Sequence, residues 1–241
     1  MKRLEGLTLS LMVALSGALF SVSAQAQDSN SYLYIAHAAP GRAVATSTLP
    51  ISTANPALPV DVSVDGNCIA HGLSYGEIGG PYSGPAGTYS FQFTMANSAL
   101  PCTGQSLFGA TVSLSPGTAY FGVLYVDASS AINGLLFQAD LSPIGSGFAR
   151  VEVVNTTEET LNASVTNGSG TGTISIAPLS LQEGTVLTGS YQASITSGAT
   201  TFVGPTSIEM TSRDTSLWVI SGSVAKQTVL LIGPKTIHGV F

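Results

Sequence analysis

The chain has 241 residues, with 7 Lys+Arg against 13 Asp+Glu and a formal net charge of −6. Charged residues are 8% of it, against about a quarter in ordinary soluble domains, and a sparse, acidic balance argues against nucleic acid as a partner. Apolar residues at 44% suffice for a core, and the length allows one or two domains.

In chain order, Lys2 and Arg3 precede an apolar run from Leu7 to Phe20 and then "SVSAQAQ", with small residues at Ala24 and Ala26. This predicts a secretory signal peptide over 1–26, cleaved after Ala26. The run is short for a bilayer span of about 20 residues, and "KTIHGVF" at the other end has neither a hydrophobic tail nor a basic stop. The mature chain is expected to be exported and soluble, without a membrane span.

Beyond residue 26, strict alternation marks strands. Val60, Val62 and Val64 face one way and Asp61, Ser63 and Asp65 the other; Tyr89, Phe91 and Phe93 alternate with Ser90, Gln92 and Thr94; Phe108, Ala110, Val112 and Leu114 alternate with Gly109, Thr111 and Ser113. "YFGVLYV" (120–126) is apolar on both faces and reads as a central strand. No three-turn helical period occurs, so helix should be nearly absent. Turn signals fall at "DGN" (65), "PAGT" (85), "SPGT" (115) and "NG" (133 and 167). The expectation is all-β: two tandem Ig-like antiparallel β-sandwiches of about seven strands each, over 27–144 and 145–241, joined by "SPIGSG" (142–147).

The two sets read as one unit repeated. "TYSFQFT" at 88 matches "SYQASIT" at 190, "TAYFGVL" at 118 matches "TSLWVIS" at 215, and "LYIAHA" at 33 matches "VEVVNT" at 151, with offsets of 102, 97 and 118. The larger last offset reflects an extra loop in the first copy, residues 41–58, which is rich in Pro, Ala, Ser and Thr and has no period. Its Gly41, Arg42, Leu49, Pro50, Ile51, Asn55 and Leu58 are the candidate binding residues, because long loops on a rigid sandwich concentrate recognition.

"HAAP" (37–40), "PVDVSVDG" (59–66), "LSYGEIGGPYSGPAGTYSFQF" (73–93) and "VSLSPGTAYFGVL" (112–124) resemble the bacterial domain of unknown function 4397 family. The resemblance is clear in the first copy and degenerate in the second, and the loop at 41–58 is longer than the family's. It implies an Ig-like sandwich in an exported protein and no activity.

Cys68 and Cys102 both lie in the exported part, where a disulfide is expected over two free thiols; such a bridge would contribute roughly 3–4 kcal/mol. "GLSYG" (72–76) has the Gly-x-Ser-x-Gly spacing of a nucleophile elbow, which needs a strand before the Ser and a helix after it. Here "EIGGPYSGP" follows, which cannot be helical, so a Ser74 hydrolase, with Asp127 or Asp140 and His238, is only the alternative. His37, His71, Asp61 and Asp65 are residue types that ligate metals, but Asp65-Gly66 is wanted for a hairpin turn and a lone strand-end His is usually structural. No metal and no cofactor is expected. "NTT" (155), "NAS" (162) and "NGS" (167) have the form of glycosylation acceptors, read as polar strand faces and turns. Phe241 faintly suggests an outer-membrane barrel strand, which Pro234 should break. The reading is a non-catalytic exported binding or surface-structural module acting through loops and strand edges on an envelope or extracellular protein or a glycan, with self-association open. A carbohydrate-binding module using Tyr34, Tyr75, Tyr82 and Trp218 is a further alternative.

Overall fold

A computed structural model describes residues 29–39, 59–127, 129, 131–140, 142–222 and 230–237. Every regular element among them is a strand: β1 (Asn30–Ala38), β2 (Val60–Val64), β3 (Asn67–Leu73), β4 (Ile78–Pro85), β5 (Gly87–Met95), β6 (Ser106–Leu114), β7 (Ala119–Val126), β8 (Ile132–Ala139), β9 (Phe148–Asn155), β10 (Leu161–Asn167), β11 (Gly170–Ile176), β12 (Ser180–Leu187), β13 (Gly189–Ser197), β14 (Thr200–Met210), β15 (Thr215–Ser221) and β16 (Leu230–Ile237). They form four four-stranded sheets, β4-β1-β7-β8 and β3-β2-β5-β6 from the first eight strands, β12-β9-β15-β16 and β11-β10-β13-β14 from the last eight. Among the described residues each set therefore has eight strands, where about seven were expected, in the same order. Each also carries one parallel pair, β1 with β7 and β9 with β15, among otherwise antiparallel neighbours.

The alternating valines and aromatics fill the first core: Leu33, Ile35, Val60, Val62, Phe91, Phe93, Leu114, Tyr120 and Leu124 are buried together. The second core is built the same way around Val151, Val153, Leu161, Ile176, Ile195, Trp218 and Ile220. Asp65 and Gly66, with φ of 47° and 78°, make the two-residue turn between β2 and β3 that Asp-Gly favours. "NG" at 133 is different: both residues lie within β8, and the reversal falls before it, where the Asp127 amide donates to the Ala131 carbonyl at 3.0 Å. Gly134 is needed there for closeness, since a Cβ would meet the Phe108 ring at 2.4 Å.

β1, β7, β9 and β15 are buried on both faces, and the reason is a third apolar cluster. Tyr34, Ala36, Ala38, Phe121, Val123 and Tyr125 from the first unit pack with Val154, Leu217, Val219 and Ile232 from the second. The two parallel-paired sheets thus stack back to back, giving four layers with the other two sheets outside. Each large apolar side chain fully buried in this seam contributes about 1.5–3 kcal/mol relative to exposure. The connection at 142–147 is short and gripped. Arg150 forms an ion pair with Asp140 at 2.9 Å and donates to the carbonyl oxygens of Asp140 and Ser142 and to Ser142 Oγ, while the Gly147 amide donates to Ser212 Oγ at 3.0 Å.

Strand registers refine the internal match. Tyr32 lies opposite Ala119, and Arg150 opposite Thr215, so β1 maps on β9 with an offset of 118 and β7 on β15 with 96, not 97. A one-residue slip exchanges the two faces of a strand. The offset of 97 would equate Phe121, which faces the seam, with Trp218, which faces the second core.

Candidate binding face

The two units point the same way. Ser221 Oγ, at the end of β15, donates to the Ala38 carbonyl, at the end of β1, at 2.9 Å, whereas Asp140 and Glu152 meet at the opposite end of the seam. The strand ends at the Ala38 end therefore share one face, which carries the connections 74–77 and 96–105 of the first unit and 156–160, 177–179 and 198–199 of the second, together with the strand ends that flank 40–58, 127–131 and 223–229. The candidate loop residues Gly41, Arg42, Leu49, Pro50, Ile51, Asn55 and Leu58 lie outside the described residues, as does His238. The residues that anchor the loop are described: Ala39 is fully buried, and the Pro59 carbonyl accepts from the Ala96 amide at 2.9 Å.

Buried polar side chains hold these loops. Asp61, 1% exposed, accepts at Oδ1 from the Gly72 amide (2.9 Å) and at Oδ2 from the amides of Asn97 (3.1 Å) and Cys102 (2.9 Å). Cys68 and Cys102 are joined in a disulfide, with Cα atoms 5.7 Å apart, inside the usual limit of about 7 Å. One carboxylate and one covalent bond thus fasten 96–105 against β2 and β3, and Leu100 at its tip is 63% exposed. Asp127 closes the neighbouring loop through Ser129 Oγ (2.7 Å), the Ala131 amide (2.9 Å) and Asn133 Nδ2 (2.7 Å); the Ser129 hydroxyl first, then the Ala131 amide, hold its carboxyl below the ordinary range. His37, fully buried, accepts at Nδ1 from the Ala39 amide at 3.3 Å, and its ring meets Tyr75 edge-on at 6.3 Å. Burial raises the Tyr75 phenol pKa above its usual 10.

A family model described as Domain of unknown function (DUF4397) matches residues 47–166. The chain belongs to that family. In this DUF4397 chain the match begins inside the loop before β2, covers β2 to β9 and ends in β10. It includes three of the four resembling stretches and starts after "HAAP". A search of the curated proteins finds no match. Among solved structures the chain is similar to one described as the Bacillus anthracis TIE protein, at 9% identity and a TM-score of 0.25, over 81% of this chain and 50% of that one. The present chain thus spans half the length of that structure.

Other residues of the DUF4397 chain singled out from sequence fall into turns and cores. Ser74 sits between a strand of one sheet and a strand of the other. Its amide donates to Glu77 Oε2 at 2.8 Å, its hydroxyl to the Gly72 carbonyl at 3.4 Å, and the Glu77 amide to its carbonyl at 3.0 Å. That is a capped turn and lacks the strand-turn-helix of a nucleophile elbow. Asp140 is engaged by Arg150 and Ser142. Asp65 Oδ1 accepts from the Ser90 amide at 2.8 Å, His71 is exposed, and no group of three metal-ligating side chains occurs among the described residues. Asn155 of "NTT" is fully buried. Tyr34 is 4% exposed and Trp218 fully buried, so neither offers a ring face to a sugar; Tyr75 and Tyr82 are half-buried.

Sequence reading missed the Gly-Pro pairs. Gly80-Pro81 in β4, Gly204-Pro205 in β14 and Gly233-Pro234 in β16 each form a bulge in an edge strand, two residues facing one partner: Tyr34, Ser194 and Trp218 respectively. The three glycines have φ of 107°, 111° and 102°, and a Cβ on any of them would come within 2.5–2.7 Å of a carbonyl oxygen on the adjacent strand. Pro234 thus bends β16 without ending it. Pro confined to edge strands and bulges was the available signal.

Proposed function

We propose that this DUF4397 protein is a non-catalytic, exported binding module whose recognition surface is the loop face at the Ala38 end of both sandwiches. The observation that carries the reading is the Ser221–Ala38 hydrogen bond. It ties the last residues of β1 and β15 together, so the two strands end side by side at Ala39 and Gly222. Loops from two sandwiches held on one rigid seam form a wider and better-fixed surface than either unit alone, which reduces the ordering cost of binding. Export is supported by the signal-like N-terminus and by a disulfide, which persists in oxidising compartments. No helix among the described residues is long and apolar enough to cross a membrane. Loops are favoured over strand edges, because the bulges in β4, β14 and β16 interrupt the regular ladder that strand addition requires.

The test is replacement of residues 41–58 by a short Gly-Ser link. Changing loop length alters closure entropy by only about 0.6 kcal/mol per doubling, so the melting temperature should hold while capture of an envelope or extracellular partner, protein or glycan, is lost. Unfolding of the shortened chain would place the loop in the core, and undiminished capture would move the site elsewhere.

A further inference from the structure

At the end of the seam opposite the loop face lies an acid whose hydrogen bonds do not use it up. Glu152 sits in β9 with its side chain toward the seam and is fully buried. Oε1 accepts from the Asp140 amide across the seam at 2.9 Å; Oε2 is buried with no hydrogen-bond partner. A dry, half-satisfied carboxylate is far costlier than a neutral carboxylic acid in the same place.

The charged groups around it do not supply a dedicated counter-ion. On β9, Arg150 is committed to Asp140 at 2.9 Å. On β12, Glu183 stands directly opposite Glu152 in the antiparallel register. On β15, Leu217 is its parallel neighbour, with Asp214 just before the strand, and Lys235 of β16 lies opposite Leu217, one strand further along the same row. The facing sheet brings Asp140 after β8 and the phenol of Tyr34 on β1, while two further phenols of the seam belong to its loop-face end, Tyr125 on β7 opposite Ala38 and Tyr75 in the turn between β3 and β4. Burial raises all three phenol pKa values above 10, with Asp127 adding to it at Tyr125.

We propose that Glu152 is a protonation latch on the seam: neutral, it lets the two sandwiches close dry around it; ionised, it draws water to Oε2 and loosens their contact at the Asp140 end. Burial pushes its pKa from 4.5 up to about 7, with Glu183 and Asp140 adding to the rise and the Asp140 amide and Arg150 opposing it. Between those two values the folded protein holds a proton that the unfolded chain has released. The latch's stabilisation is therefore complete below about pH 4.5 and is lost as pH rises through about 7. A site buried between two packed bodies turns that loss into a change in their docking.

The test compares the full chain with Glu152→Gln, which keeps the shape and cannot ionise, and with Glu152→Leu should the amide variant fail to fold. Between pH 5 and pH 8 the unaltered protein should lose on the order of 5–10 °C in melting temperature, and hydrogen exchange at the Asp140 amide should rise beyond the intrinsic effect of pH. Either variant should flatten both responses. The proposal is overturned if the Glu152 carboxyl, followed by carbon NMR in the unaltered protein, titrates below pH 5, or if a folded variant keeps the full pH response.

Discussion

His37 and Asn155 occupy the same place in the two sandwiches, at the end of the central strand that opens onto the loop face, and both are fully buried. Each accepts a hydrogen bond from the amide two residues on: His37 Nδ1 from Ala39, Asn155 Oδ1 from Thr157. From there the units diverge. Asn155 Nδ2 donates to the carbonyls of Glu159, Ile176 and Ala177, folding the short 156–160 connection back on itself. The first sandwich instead sends out residues 39–59, and the nearby 96–105 loop is fastened by Asp61 and the disulfide. One unit closes its loop face with a hydrogen-bonded asparagine; the other has a longer connection in sequence after its strand-end histidine and stiffens the neighbouring loop covalently. A shared scaffold can thus carry different faces provided one buried acceptor at the strand end is kept.

The largest expected effect tests the covalent side of that contrast. Replacing Cys68 and Cys102 by Ala should lower stability by roughly 3–4 kcal/mol, with proteolytic nicking appearing within 96–105 and the second sandwich's core amides keeping their exchange protection. Loss of protection at Trp218 and Ile220 to the same extent would mean that the seam makes the two units one cooperative body. Next comes Asn155→Ala, which leaves the Thr157 amide and up to three carbonyls without their partner. A loss of about 2–3 kcal/mol is expected from denaturant titration, and Asn155→His should recover part of it if the equivalence with His37 is real. Smallest is Ser74→Ala, expected to change stability by about 0.5 kcal/mol or less. A fluorophosphonate probe that labels the unaltered protein and spares this variant would overturn the non-catalytic reading.

Much of this arrangement is legible in the residues. The alternation of Val60, Val62 and Val64, the double-faced "YFGVLYV" strand and the Asp65-Gly66 turn each have one local cause, period or backbone conformation, and the structure has them where that cause puts them. The cysteine pair follows from compartment chemistry alone. What lies across the second face of β7 is not local: apolar Phe121 and Val123 announce burial but not their partners, which are Val154, Leu217 and Val219 more than thirty residues away. The same gap hides Glu152, which reads in "VEVVNT" as an ordinary outward residue of an alternating strand. It also disguises Asn155, whose Asn-Thr-Thr context suggests an exposed acceptor while its side chain organises a loop.

The Gly-Pro bulges bear on how this protein behaves in a crowd of its own copies. Exposed sheet edges usually repel one another through lysines, a defence that fades once salt shortens the reach of charge to a few ångströms. With 8% charged residues, this chain has little such repulsion to lose. Among the described strands, three of the eight at sheet edges are instead interrupted by a ring that has no N–H to donate and a glycine whose backbone presses against its neighbour. That obstruction is steric and covalent, so ionic strength does not weaken it. These edges should stay as inert in brine as in fresh water.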